Sequence, residues 1–368
     1  MYQGIFIDAT ETDKRLTELM STKGRYGLQV TFQKPSEFIT LTQNLLDRQP
    51  DLVALDYRLN NRPNQGKLGY TAGALAQQLR EFATESIASD FPIILVSSQD
   101  DIKAFCNNVT AHNLFDLSLT KEQLGNDSHL RQKMLSLVKG YKYLIKNWHK
   151  PERWSHILGL KSAERLRVGY QAIRELDKLN APHQVVRDIL RYVINRRGIL
   201  LDKDNLLAYM GIASSGKEVD KLLEILREEK LGYTGIFGDV WTRWWLHRLE
   251  RWEKQLCDEY LGNLTAKQRV SCLNRKLGLK LSPAKSRWKN STDTLVSFAC
   301  ASCHQPTEEE FSVVAYDPLP YPYTFVHNKS ICFSCIKTGE FVKKGLEVDD
   351  EKNLWMNLFK IVRDRNEW

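Results

Sequence analysis

No run of eighteen apolar residues occurs in the 368-residue chain, so no segment reads as a membrane-spanning helix. Met1 leads almost directly into GIFIDA. That leaves no room for a charged and apolar leader, and a cytoplasmic protein is expected. The chain lacks a Walker phosphate loop, a G-x-G-x-x-G after a strand and an H-E-x-x-H pair, the common signatures of nucleotide-hydrolysing, dinucleotide-binding and zinc-protease sites. Internal repeats and low-complexity tracts are absent as well. Cysteine is sparse, with seven residues, and in a reducing compartment these are expected as thiols or metal ligands rather than disulfides. What is present is a 42% apolar chain, enough for real cores and long enough for two or three domains.

Four short apolar runs end on polar residues. Asp8 follows GIFI, Asp56 closes DLVAL, Ser97 follows PIILV and Lys121 follows DLSLT. Runs of this length bounded by polar turns predict buried strands, and segments from about Lys14, Gly69 and Asp100 carry helical periodicity. Strands alternating with helices give an α/β, doubly wound parallel sheet whose polar strand ends gather in one crevice. Two carboxylates, a hydroxyl and an ammonium there suit a divalent cation and a phosphoryl group.

These residues resemble the receiver domain of bacterial response regulators, over residues 1–148. The resemblance implies a flavodoxin-like fold with Asp56 as phosphoacceptor. It also implies Mg²⁺ held by Asp8, Asp56 and the backbone carbonyl of Arg58, Ser97 and Lys121 on the phosphoryl oxygens, and a histidine kinase as partner. The sequence departs from the family at several points. Ala9 stands where a second acid is usual, so Glu11 or Asp13 would have to supply it. Ser118 replaces an aromatic switch residue, Glu122 replaces a cis proline, and the loop RLNNRPNQGKLG after Asp56 is long and basic. A competent phosphoacceptor and a pseudo-receiver that serves only as a scaffold both remain open.

A helix from about Ser128 to Trp148, closed by Pro151, predicts a boundary near 148–152. Residues 152–290 read as a mainly helical domain. SAERLRVGYQAIRELDKL and HQVVRDILRYVINRRG are its first two helices, the second stopped by Gly198. Residues 204–246 resemble a winged-helix module, with a turn at Gly211, a longer helix from about Gly216 and strands YTGIF and VWTRWW around Gly238 and Asp239. The longer helix carries Lys217, Lys221 and Arg227 against Glu218, Asp220, Glu224, Glu228 and Glu229. That balance suits a protein contact better than a DNA groove. Trp241, Trp244, Trp245, Leu249 and Trp252 share most of one helical side and read as core filler.

Residues 266–290 hold Lys267, Arg269, Arg275, Lys276, Lys280, Lys285, Arg287 and Lys289 with no acid, which equals the whole net charge of +8. The segment is either a contact for nucleic acid or an acidic partner, or a solvated linker. In residues 291–345, Cys300-Ala-Ser-Cys303 and Cys332-Phe-Ser-Cys335 form two C-x-x-C pairs separated by 28 residues. That spacing predicts one structural Zn²⁺ held by four thiolates in a module resembling a treble clef or zinc ribbon. His304 and His327 are bystanders on this reading, and Cys106, Cys257 and Cys272 are inert thiols. Residues 346–368 are expected to form a C-terminal helix.

No nucleophile, base and orienting group occur together outside the crevice, so no separate catalytic domain is expected. Three functions follow: a response-regulator-like signalling protein whose later modules bind a partner, a scaffold with a silent receiver in a multiprotein complex, and a nucleic-acid-binding protein that uses the basic segment and the zinc module.

Overall fold

The computed structural model describes residues 1–60, 68–106, 113–127, 129–164, 170–216, 218–317 and 323–350. Outside them lie Ser128, Lys217, much of the long loop after Asp56 and most of the expected C-terminal helix. The chain divides into two compact units, described separately below.

The first unit comprises Met1–Arg165, Ile173–Leu190 and Thr234–Trp241. Its elements are β1 (Tyr2–Ile7), α1 (Leu16–Met20), β2 (Leu28–Gln33), α2 (Phe38–Arg48), β3 (Leu52–Leu55), α3 (Ala72–Glu85), β4 (Ile93–Ser97), α4 (Gln99–Cys106), β5 (Leu117–Thr120), α5 (Lys121–Asn126), α6 (His129–Asn147), α7 (Arg153–Leu158), α8 (Tyr170–Asp177) and α9 (Pro182–Asp188). The five strands pair in the order β2-β1-β3-β4-β5, all parallel. This is the doubly wound order of flavodoxin-like folds. The inner strands β3 and β4 are buried at every residue, as both faces of a parallel sheet require. On one face Ile5, Ile7, Val53, Leu55, Ile93 and Leu95 pack with Leu41, Leu45, Leu75 and Leu79 of α2 and α3. The alternate residues Phe6, Ala54, Ile94 and Val96 are equally buried on the other face.

Four of the strands end on the residues singled out in the sequence. β2 and α2, between Asp8 and Asp56, were not read there. β2 shows alternating burial from Leu28 to Thr31, a weaker signature than a continuous apolar run.

The expected boundary near 148–152 falls inside this unit. Trp154, Ile157 and Leu158 of α7 are buried, and Ile236 N donates to Ile157 O at 2.8 Å. Phe237 sits on α6 at Gly140, where a Cβ would lie 2.2 Å from its ring. Glycine is what lets the ring seat there.

The second unit comprises Leu166–Ala172, Arg191–Tyr233 and Thr242–Trp368. It contains β6 (Leu200–Leu201), α10 (Lys203–Tyr209), α11 (Val219–Glu228), β7 (Trp244–Trp245), α12 (Leu246–Cys257) and α13 (Ala266–Leu277). Then follow β8 (Phe298–Ala299), β9 (Pro306–Thr307), β10 (Ser312–Val314), β11 (Ser330–Cys332), α14 (Phe333–Thr338) and α15 (Glu340–Lys343). Leu206, Leu222, Leu226, Trp244, Leu249, Val270 and Leu273 belong to one core. Gly211 takes φ +70 at the expected turn. The helix expected to run to Gly198 is α9 followed by a π-helical turn, Ile189–Ile194. At Gly198 the carbonyl of Phe325 would lie 2.2 Å from a Cβ.

The winged-helix expectation is corrected in its strands. YTGIF itself forms no strand, but the residues that flank the turn do pair antiparallel: Gly232 bridges Trp244, the Tyr233 N–H donates to Arg243 O at 2.8 Å and the Trp245 N–H to Leu231 O at 3.0 Å, while the other edge of β7 pairs with β6. Trp244 and Trp245 lie in β7, in keeping with the strand expected over VWTRWW and not with the helical side that the tryptophan spacing also suggested.

A second correction concerns sulfur. Cys257 and Cys272 form a disulfide with a Cα–Cα distance of 6.2 Å, because α12 and α13 pack side by side. Their separation of 15 residues matches no motif, so their pairing was invisible in the sequence.

Candidate functional site

Because the strands are parallel, their carboxyl ends share one edge. The chain leaves β1 toward β2 on one side and toward β3 on the other, and the crevice forms where these paths part. Asp8 follows β1 and is fully buried, and Asp56 follows β3 with 6% exposure. Ser97 ends β4 and is buried. Lys121 opens α5, whose start is fixed by a capping box between Thr120 and Gln123.

The Lys121 ammonium is the hub. It lies 2.9 Å from Asp8 Oδ2, 2.8 Å from Asp13 Oδ2 and 2.9 Å from Asp56 Oδ1. Asp13 comes from the 3-10 turn Glu11–Arg15 and brings a third carboxylate to the crevice, whereas Glu11 turns outward to Lys34 at 2.7 Å. Ser97 Oγ donates to Asp56 Oδ1 at 3.1 Å, and the Arg58 backbone N–H donates to Asp56 Oδ2 at 2.9 Å. The Thr10 N–H donates to Asp8 Oδ1 at 2.8 Å.

Burial, then the adjacent Asp56 charge, raise the Asp8 pKa above its usual value. Lys121 is raised despite its burial, because Asp13, Asp8 and Asp56 all hold its proton. Three carboxylates and one ammonium leave an excess of two negative charges. Carboxylate oxygens are the ligand type that Mg²⁺ takes, and here the Lys121 ammonium lies among them.

Asp101, not singled out in the sequence, completes the rim. It accepts from Ser98 Oγ at 2.7 Å and from Arg58 Nε at 2.8 Å, with Ser97 Oγ at 3.5 Å. Its burial is outweighed by the Ser98 and Arg58 hydrogen bonds, which lower its pKa. The spacing Ser97-Ser98-x-x-Asp101 resembles a helix-start signal and could have revealed it. Ser118 is exposed on β5.

The four cysteines converge in the second unit. Their sulfurs lie within 4.8 Å of one another, the sole such His, Cys, Asp or Glu group among the described residues, and can hold a metal ion. Cys300 and Cys303 sit in the turn between β8 and β9. Cys332 ends β11, which pairs antiparallel with β10, and Cys335 lies in the first turn of α14. The Cys300–Cys335 and Cys303–Cys332 Sγ distances are 4.0 and 3.9 Å. A tetrahedron with metal–sulfur bonds of about 2.3 Å has edges of about 3.8 Å. Backbone N–H groups of Ser302 and Cys332 point at Cys300 Sγ, and Arg287 reaches Cys335 Sγ at 3.5 Å. These donors offset thiolate charge.

The basic segment is not a linker. Residues 266–277 are α13, and its inner face is core. Arg269 is 2% exposed and donates to the carbonyls of Leu264, Tyr209, Val296 and Gly262, so it is unavailable to a nucleic acid. Arg287 serves the cysteine cluster. Lys289 pairs with Glu310 at 3.7 Å and lies over the Phe311 ring. Lys267, Arg275, Lys276, Lys280 and Lys285 are exposed. His304 pairs with Asp204 at 3.2 Å rather than joining the cysteines.

No family model and no curated protein matches the chain. Solved structures do. The signal receiver domain of NarL from Mycobacterium tuberculosis is 15% identical, with TM-score 0.27, covering 38% of this chain and 97% of that one. The REC domain of AraT, a response regulator from Geobacillus stearothermophilus, is 11% identical, with TM-score 0.29, covering 40% and 98%. A CheY-like receiver domain from Methylobacillus flagellatus is 22% identical, with TM-score 0.22, covering 33% and 86%. At such scores the fold rests on the strand order itself. No helix among the described residues is long and apolar enough to cross a membrane.

Proposed function

We propose that the first unit is a phosphoacceptor receiver and that the protein is a response-regulator-like signalling protein. The observation that carries this reading is the Lys121 ammonium within 2.9 Å of Asp8, Asp13 and Asp56, with Ser97 on the same Asp56 oxygen. In the transfer, an Asp56 carboxylate oxygen bonds to phosphorus as the donor's bridging atom, oxygen in an acyl phosphate or nitrogen in a phosphohistidine, leaves with the electron pair of its bond to phosphorus. Lys121 and Ser97, already on Asp56, are placed to turn to the phosphoryl oxygens. Asp8 and Asp13, with Asp56, would hold Mg²⁺, which supplies charge neutralisation for the incoming group. Phosphorylation from a small phosphodonor, lost in Asp56→Asn, tests the proposal.

A second reading has its own observation. Both Asp56 oxygens are already engaged, one by Lys121 and Ser97 and the other by the Arg58 N–H. In a silent receiver this network would only lock the strand ends, and the protein would act as a scaffold. Absence of phosphoryl transfer under every donor condition selects it.

In the second unit we propose a structural Zn²⁺ in a treble-clef-like module. Four thiolates close the coordination sphere and leave no position for substrate. The five exposed cations around α13 favour an anionic partner surface, either nucleic acid or acidic protein.

A further inference from the structure

Arg58 meets the crevice twice. Its backbone N–H donates to Asp56 Oδ2 at 2.9 Å. Its side chain crosses to α4, where Nε and Nη2 both meet Asp101 Oδ1, at 2.8 and 2.6 Å. The Asp101 carboxylate is held from its other side. Ser98 Oγ donates to Oδ2 at 2.7 Å, and the Asp101 N–H donates back to Ser98 Oγ at 3.3 Å. The Arg58 side chain is 60% exposed and that of Asp101 12%. The acid is therefore the fixed partner, and the guanidinium is the one free to move.

Asp101 also borders the acceptor. Ser97 Oγ lies 3.1 Å from Asp56 Oδ1 and 3.5 Å from Asp101 Oδ2. A hydroxyl has one proton, so the two carboxylates compete for it, and the shorter contact gives it to Asp56. Around the acceptor stand Asp8, Asp13, Asp56 and Asp101 with Lys121 and Arg58. Lys121 meets the first three acids, whereas Arg58 pairs with the fourth. Asp100, the other acid in the first turn of α4, is exposed and lies about 100° further round the helix. The Asp101 hydrogen bond raises the Arg58 pKa, and the Asp56 charge adds to it, so the guanidinium lies within electrostatic reach of the acceptor.

We propose that Asp101 withholds Arg58 from the phosphoryl group, so that this acid sets how fast Asp56 is phosphorylated. The inference rests on the phosphoacceptor reading above. Asp101 is a positioning residue, because it acts through Arg58. On Asp101 two guanidinium nitrogens share one oxygen, since Ser98 takes the other. A phosphoryl group offers several oxygens and more negative charge, and the guanidinium fork matches two such oxygens at once. Transfer therefore draws Arg58 inward, but only by breaking its pair with Asp101. Removing the Asp101 charge removes that opposition.

The test is the initial rate of phosphoryl gain from acetyl phosphate, followed by intact mass in the full chain at one fixed Mg²⁺ concentration. Asp101→Asn should be about tenfold faster than wild type, the scale of one charge-assisted hydrogen bond. A merely structural role would not produce a gain in rate. Arg58→Gln, which keeps the backbone contacts, should be no faster than wild type, and Asp101→Asn combined with Arg58→Gln no faster than Arg58→Gln alone. If hydrogen exchange shows β4 loosened in Asp101→Asn, Asp101→Ser, which removes the same charge, decides. No phosphoryl gain in the wild type or any variant refutes the phosphoacceptor reading and this one with it. A wild type that is phosphorylated, with no faster gain once the Asp101 charge is removed, overturns the role of Asp101 alone. So does a faster gain that persists without Arg58, which would mean that Asp101 only repels the donor.

Discussion

Arg80→Met removes the cation from the most deeply buried ionic network of the first unit. Arg80 is 5% exposed on α3. Its guanidinium meets Asp90 at 2.9 Å and Asp116 at 2.7 Å and also donates to the carbonyls of Phe91 and Leu114. Asp90 receives the backbone N–H of His183 at the start of α9 and lies 2.9 Å from its Nδ1. Asp116 receives the Ile93 N–H and the Tyr141 hydroxyl. One arginine therefore joins β4, β5, α6 and α9. Methionine keeps much of the apolar stem but leaves two buried carboxylates without their cation, a change that costs about 3–5 kcal/mol.

With two units a single melting curve has no simple meaning, so the readout is local. Hydrogen exchange of peptides covering β4 should speed up by roughly a hundredfold to a few thousandfold. Burial of Asp90 is outweighed by His183 and Arg80, which lower its pKa. Its contribution is therefore present above the unfolded carboxylate pKa and lost as pH falls through the lower folded value. The wild-type advantage over Arg80→Met should shrink accordingly in acid. Acceleration below about fivefold at neutral pH, roughly 1 kcal/mol, refutes the assignment of this network as the tie between sheet and helices.

Cys332→Ser should release the metal, about one ion per chain for a four-cysteine site, and raise protease sensitivity between residues 298 and 345. A wild-type protein free of metal after purification with zinc present contradicts this. Glu253 is 1% exposed, and burial pushes its pKa up to about 7. Its folded pKa lies above the unfolded one, so stability is favoured at low pH and lost as pH rises through 7. Glu253→Gln should therefore protect the second unit at pH 8 relative to wild type, measured by hydrogen exchange of α12. Charge reversal of Lys276, Lys280 and Lys285 should weaken any nucleic-acid binding and flatten its salt dependence. Unchanged binding removes residues 276–285 as the contact.

The sheet was legible where its strands are continuous apolar runs. GIFI, LVAL and IILV are buried on both faces and carry their functional residue at the end, so the strands and the crevice appear together. β2 was missed because its alternating LQVT, on an outer strand, is diluted by polar positions. Asp13 was one of two possible replacements for the acid absent at Ala9. The choice depended on how the 3-10 turn projects its side chains, which sequence spacing does not determine. Arg269 counted as a surface cation because charge alone does not reveal which face of α13 is buried, and only the carbonyls gathered around it explain its burial. The cysteine cluster was legible because C-x-x-C spacing is itself a local geometric constraint, whereas the Cys257–Cys272 disulfide arises from helix packing.

The central claim is that Asp56 accepts a phosphoryl group in a crevice built by Asp8, Asp13, Ser97 and Lys121. Intact-mass measurement after incubation with a small phosphodonor and Mg²⁺ tests it most directly. The account predicts a gain of one phosphoryl group that depends on Mg²⁺, is abolished in Asp56→Asn and is strongly reduced in Asp8→Asn and in Asp13→Asn. No gain in the wild-type protein, from the small donor or from a cognate kinase, or an undiminished gain in Asp56→Asn, contradicts it.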